Sequence, residues 1–450
     1  MTQRPDSPLK KRFSFAGIAL IILAGGGWFV TRLPSSPFDG AAPQATPDLI
    51  ARGEYVARQA DCVACHSLED GAPFAGGLEM GTPLGSIFAT NITPDPQTGI
   101  GTYTLADFDR ALRHGVTPDR RRLYPAMPYP SYEKMSDDDI SALYAFFMND
   151  VTPVQQAAAQ SDIPWPLNIR WPLALWNVVF TTGQTYQTDP DQSEQWNRGA
   201  YLVEGAGHCG SCHTPRGMAM NEQGLDSSDP DFLSGALLDG WFAPSLRGDG
   251  AAGIGRWSED DLFAFLSQGR NDHAVVFGSM TEAFNNSLQF MTDDDLRAIS
   301  VYLKSLPGQG PGWQAQPATV TSLVEAAQSG LPGAETYMAN CAACHGRDGL
   351  GQNEWIPALA GATSSQGTEP ASQINVTLNG SGRVVADGMP DSYRMPPYRD
   401  RLNDTQIAEV LQFVRSSWGN TGTPVDTDAV ADLRMRTDPA SVAPIVLQMR

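Results

Sequence analysis

The chain of 450 residues is long enough for about three domains of ordinary size. Hydrophobic residues at 41% and charged residues at 18% lie in the globular range, which excludes a wholly disordered chain and a polytopic membrane protein. Fifty acidic against thirty basic residues give a net charge of −20, which argues against nucleic acid as a partner and in favour of a cationic surface.

Phe13 to Val30 is an uncharged apolar run preceded by Lys10, Lys11 and Arg12. Its length falls between a signal-peptide core and a spanning helix. The following Thr31-Arg32-Leu33-Pro34 lacks a small-x-small cleavage site, so residues 1–32 read as an uncleaved membrane anchor. A signal cleaved near Ala41-Ala42 is the alternative. Either way the basic residues stay on the cytoplasmic side, and the rest is expected on the periplasmic face of the inner membrane.

Next comes a helical stretch from Leu49 to Ala60, then Cys62-Val-Ala-Cys65-His66 and the segment Phe88-Ala-Thr-Asn-Ile92. A short helix is predicted from Thr104, followed by Tyr-Pro-Ala-Met127-Pro-Tyr. A closing helix starts at Ser136, with Asp139 three positions on and Ile140, Leu143, Tyr144 and Phe147 as its apolar stripe. The linker Ile163–Phe180 holds Trp165, Trp171 and Trp176 and is otherwise largely apolar. It is too short and too proline-broken to span a bilayer. Two uses remain open for it: a place in the headgroup region, or packing between domains or against a partner.

The same succession then recurs. A helical stretch Arg198–Gly205 leads to Cys209-Gly-Ser-Cys212-His213, then Phe242-Ala-Pro-Ser-Leu246, a helix from Ser258, Met280, and a helix capped by Thr292 with Leu296, Ile299, Leu303 and Leu306 inward. The third copy runs from Gly333–Asn340 through Cys341-Ala-Ala-Cys344-His345, Trp355-Ile-Pro-Ala-Leu359 and Met395 to a helix capped by Asn403 with Ile407, Val410, Leu411 and Val414. The predicted organisation is an anchor at 1–32, domains at 46–155, 193–307 and 328–420, linkers at 156–192 and 308–327, and a tail at 421–450 without a motif. The expected fold class is all-α.

All six cysteines fall in the three C-x-x-C-H motifs, the pattern of covalent c-type haem attachment. Two thiols one helical turn apart add to the two vinyl groups of one porphyrin, and the adjacent histidine is directed at the iron. Zinc needs four ligands, usually from two neighbouring pairs; a thioredoxin-like pair needs no following histidine; disulfides would make three such histidines a coincidence. Three haems c are therefore expected, with His66, His213 and His345 as iron ligands. Met127, Met280 and Met395 are the expected sixth ligands, and Met389 is the rival to Met395. Pro244 and Pro357 stand where a carbonyl would hold the histidine ring; Thr90 takes that place in the first copy, where the loop is less constrained. His114, His208 and His273 are expected to be surface or packing residues.

The strings Ala89-Thr-Asn-Ile-Thr-Pro-Asp95, Leu123-Tyr-Pro-Ala-Met-Pro-Tyr-Pro130, Trp196-Asn-Arg-Gly-Ala-Tyr-Leu-Val-Glu204, His208-Cys-Gly-Ser-Cys-His-Thr-Pro-Arg216 and Phe413-Val-Arg-Ser-Ser-Trp-Gly-Asn420 resemble the triheme cytochrome c subunit of bacterial membrane-bound dehydrogenases. The resemblance covers roughly residues 46 to 420. It implies a non-catalytic subunit that takes electrons from a catalytic partner, a quinoprotein, flavoprotein or molybdenum enzyme acting on alcohols, aldehydes or sugar acids, and passes them to ubiquinone. Two other functions compete with it. A free-standing exported shuttle to a terminal oxidase needs no fixed partner, and a haem peroxidase needs an iron with an open position.

Overall fold

The computed structural model describes residues 27, 32–38, 40, 42–309, 322–390 and 393–449. Apart from Gly27, the expected anchor Phe13–Val30 lies outside the described residues, as does 310–321 within the second linker. Among the described residues no helix is long and apolar enough to cross a membrane.

Each repeat crosses an opening helix with a closing one. In the first, α1 (Pro47–Gln59) meets α3 (Asp137–Asn149), and α2 (Leu105–His114) lies between them in sequence. In the second, α5 (Glu194–Tyr201) meets α7 (Asp293–Ser305), with α6 (Glu259–Gln268) between. The third uses α8 (Ala334–Asn340), α9 (Ala371–Asn379) and α10 (Asp404–Ser416). The linker between the first two repeats carries α4 (Leu173–Phe180), and the tail forms α11 (Thr427–Arg436).

The three closing helices begin where their caps predict. Ser136, Thr292 and Asn403 each accept a hydrogen bond from the backbone N–H three residues on, which satisfies a donor the helix itself cannot. Three aspartates in the first turn of α3 and of α7 also suit the positive end of the helix dipole. The stripes face inward, with Ile140, Leu296 and Ile407 at 0%, 2% and 0% exposure. Glycine makes the crossings close. A Cβ on Gly53 would overlap the Ala142 carbonyl oxygen, and one on Gly199 the Ala298 carbonyl oxygen, so no larger residue fits at either crossing.

The all-α expectation needs correction, because the described residues include two antiparallel hairpins: β1 (Glu79–Thr82) with β2 (Gly85–Phe88), and β3 (Ala236–Leu238) with β4 (Trp241–Ala243). The second turns on Asp239-Gly240, both at positive φ, the two-residue turn that matches strand twist. This hairpin docks the second repeat on the third. Ser372 of α9 bonds both the N–H and the C=O of Phe242, at 2.7 and 2.9 Å, and Asn375 donates to the Gly240 carbonyl at 3.1 Å.

The tail is a strap. Val430 and Leu433 of α11 enter the third core; beyond it Ala440 N–H donates to Asn379, and Leu447 N–H donates to Asn286 of the second repeat at 2.8 Å. Arg58 of α1 donates to the Leu447 carbonyl, and Met449 is buried in the first core. The chain end thus ties all three repeats together.

Candidate haem sites

Each C-x-x-C-H motif closes on a short helical turn, Cys62–His66, Gly210–His213 and Ala342–His345. The three imidazoles are held alike. Nδ1 of His66 lies 2.6 Å from the Thr90 carbonyl, that of His213 2.7 Å from Pro244, and that of His345 3.0 Å from Pro357. A carbonyl only accepts, so Nδ1 carries the proton and Nε2 keeps its lone pair. Burial pushes all three imidazoles below their ordinary value, against the opposing hydrogen bonds, which favours that neutral form. The Thr90 contact, made without a proline in its loop, is the shortest of the three.

The six cysteines are free thiols, with no disulfide between them. Cys65, Cys212 and Cys344 are open to solvent, yet burial pushes the Cys65 thiol up to about 12 and that of Cys212 to about 11. Among the described residues no three His, Cys, Asp or Glu side chains gather as a metal cluster. The first two motifs lie side by side: Asp61, Glu282 and Cys212 all act on the Cys65 thiol. His208 packs at this junction, within the expectation of a surface or packing residue. Its Nε2 lies 3.3 Å from the Ala60 carbonyl and its ring packs edge-on to Tyr132. His114 and His273 are packing residues as expected; the His273 ring stacks on Trp257.

The methionines divide by position. Met127 packs against the core that contains Cys62, and Met395 and Cys341 both pack against the third core. Met389 instead joins a small cluster with Val276, Phe284 and Val384, the same cluster that Met280 touches. Met280 opens the helix Met280–Asn286 at the seam between the second and third repeats. There a cavity of about 320 Å³ runs past Ser279 and Thr281 to Gly380 and Arg383, bordered by tail residues 436–445. Met291 packs on the core with Cys209, but it sits just before the Thr292 cap, as the fully buried Met135 sits before Ser136. Both are staple positions of a helix start.

Three thiol pairs and three oriented imidazoles fit three haems c on one chain, and Met127 and Met395 lie against the same cores as the first and third pairs. The Cytochrome c family matches residues 50–149, 197–307 and 331–418, one segment per repeat. The chain is 48% identical over 413 residues to "Alcohol dehydrogenase (quinone), cytochrome c subunit" of Gluconacetobacter polyoxogenes, covering 89% of this chain and 88% of that one. It is 48% identical over 402 residues to "Gluconate 2-dehydrogenase cytochrome c subunit" of Pantoea cypripedii, at 88% and 91% coverage. To "Fructose dehydrogenase cytochrome subunit" of Gluconobacter japonicus the identity is 36% over 444 residues, at 92% and 87% coverage. The chain belongs to the cytochrome c family and, within it, to the dehydrogenase cytochrome c subunits these relatives represent.

Proposed function

We propose that the chain is the electron-transfer subunit of a membrane-bound dehydrogenase complex that oxidises an alcohol, an aldehyde or a sugar acid, and that it delivers the electrons to ubiquinone. The observation that carries this reading is one geometry repeated three times: a C-x-x-C-H turn whose histidine gives Nδ1–H to a backbone carbonyl and keeps Nε2 free. In this reading Cys62 and Cys65, Cys209 and Cys212, and Cys341 and Cys344 form the thioethers. His66, His213 and His345 are the first axial ligands, and Met127, Met280 and Met395 the second. Bound haem iron supplies one-electron redox chemistry. The carbonyls of Thr90, Pro244 and Pro357 fix the ring planes and keep Nε2 deprotonated.

The names of the relatives support a catalytic partner, whether quinoprotein, flavoprotein or molybdenum enzyme, and favour a complex over a free shuttle. With Met127, Met280 and Met395 in the sixth positions no iron keeps the open coordination position that a peroxidase needs. The apolar run Phe13–Val30 behind three basic residues supports attachment to the inner membrane with the repeats in the periplasm. The test is mild purification of the tagged chain from its native membranes. A haem-to-chain ratio near three and a stoichiometric catalytic subunit are expected. A chain that emerges alone from every preparation would favour the shuttle, and turnover of hydrogen peroxide the peroxidase.

A further inference from the structure

We infer that the segment 163–180, together with the adjoining loop at Met218–Met220, is a lipid-facing surface that lies in the headgroup layer of an anionic bilayer. The inference rests on the proposed membrane attachment and adds an orientation to it: this edge of the first repeat is turned to the lipid.

The segment presents its apolar side chains outward. Trp165 is 79% exposed and Trp171 55%, and on α4 Leu175, Val178 and Val179 are 51%, 62% and 69% exposed. That is not the pattern of a segment packed between domains. Trp176 points the other way, with its ring against Tyr129 and its Nε1–H donating to the Ala219 carbonyl at 2.9 Å. It pins the helix down and joins the patch to the loop bearing the fully exposed Met218. Contiguous apolar surface on this scale marks an interaction site. With eight residues, α4 is about 12 Å long and lies on a membrane rather than across it.

Charge and chain path select lipid as the occupant. In a chain of net charge −20, the loop 115–125 exposes Arg120 and Arg121 against the single acid Asp119, while Arg122 beside them is buried. Arg170 extends this rim: its guanidinium lies 3.5 Å over the Tyr124 ring and donates to the Arg122 carbonyl at 3.1 Å. Tyr124 in turn donates to the Leu167 carbonyl, so the basic loop and the apolar segment are one surface. Basic residues around exposed tryptophan and aliphatic side chains suit anionic headgroups. Arg32, the second residue after the apolar run Phe13–Val30, lies close enough to Arg122 for its charge to act on that guanidinium. Pro34 accepts from Arg110 Nε at 2.9 Å. Arg32 and Pro34 therefore lie at the same edge that carries the patch.

The test uses the full-length holoprotein without a catalytic subunit, in nanodiscs of phosphatidylethanolamine and phosphatidylglycerol. With all six native cysteines in thioethers, a cysteine placed by Val179→Cys is the only thiol; Met435→Cys, at a site 79% exposed on α11, is the control. Reaction with a membrane-impermeant maleimide, normalised to the unfolded protein, is expected to be about tenfold slower for Val179→Cys than for the control. A Leu175→Cys variant is expected to behave as Val179→Cys does. Equal rates in protein that floats with the discs would overturn the orientation and leave attachment standing. Protein that does not float would overturn both. Slowing that begins only when a catalytic subunit is added would assign the face to protein contact and overturn the inference.

Discussion

The Tyr55 hydroxyl donates to the Asp295 carboxylate at 2.7 Å, so a side chain of the first repeat completes an ion pair of the second, in which Arg198 holds Asp295 at 2.7 Å. The second repeat reciprocates. Tyr201 donates to Asp139, which Arg52 holds at 2.9 Å. The backbone N–H groups of Thr292 and Ser136 each donate to the visiting hydroxyl, at 3.0 Å in both cases. Two equivalent tyrosines therefore cross between the two repeats at equivalent helix starts. This pairing sets the first and second haem motifs side by side.

Replacing Asp295 with asparagine tests this joint. Burial pushes the Asp295 carboxyl up, but hydrogen bonds from Arg198, Tyr55 and Gln59 outweigh it and hold the group below its ordinary 3.8. Its folded pKa is thus below its unfolded one, so the stabilisation is present above about pH 4 and is lost as the pH falls through the folded value. Asp295→Asn is expected to cost about 2 kcal/mol at neutral pH. It should also flatten this part of the acid limb in denaturant titrations of the holoprotein. An acid limb identical to wild type would place the linkage on other carboxyls.

The ligand assignment is tested at two rival pairs. Met395→Ala and Met280→Ala should each abolish the methionine-to-iron charge-transfer band of one haem and leave the other two intact. Met389→Ala and Met291→Leu should leave all three bands in place. Met389 lies in the Met280 cluster and Met291 at a helix staple, so loss of a band in either variant would reverse the choice.

Ending the chain at Asp438 removes the strap. With Met449 3% exposed and Leu447 packed on the first core, the expected loss is about 2 kcal/mol. Faster proteolysis of the linker 156–192, at unchanged haem content, is the accompanying sign. Unchanged resistance would mean that the tail rests on the repeats without holding them.

Gly199→Ala should destabilise the second repeat by about 1–3 kcal/mol, because the added Cβ meets backbone rather than a movable side chain. Gly81→Ala, where a Cβ meets nothing within 4 Å, is the control and should be near neutral in calorimetry.

What the sequence made legible was whatever short-range chemistry specifies. The C-x-x-C-H turns, the caps at Ser136, Thr292 and Asn403, and the capping boxes at Thr104 and Ser258 each lie within a few residues and appear where their spacing puts them. The carbonyls of Pro244 and Pro357 were placed by the repeat itself. The hairpin at Asp239-Gly240 had its signal in that dipeptide, but strands of three residues carry no periodicity to flag them. The Tyr55–Asp295 and Tyr201–Asp139 contacts join residues far apart in sequence and side chains common in any helix. The strap was likewise hidden, since Leu447 and Met449 acquire meaning only beside Asn286, Arg58 and the first core. Trp165 and Trp171 were legible as a cluster, but whether they faced inward or outward was decided only by the fold.

The most direct test of the electron-transfer role is anaerobic stopped-flow spectroscopy of the complex isolated from native membranes. Mixing with an alcohol, an aldehyde, gluconate or fructose is predicted to reduce the haems of this chain with one of these substrates, up to three electrons per chain, and added ubiquinone is predicted to reoxidise them at the rate of steady-state turnover. Haems that stay oxidised with every substrate, or that stay reduced when ubiquinone is added, would contradict the account.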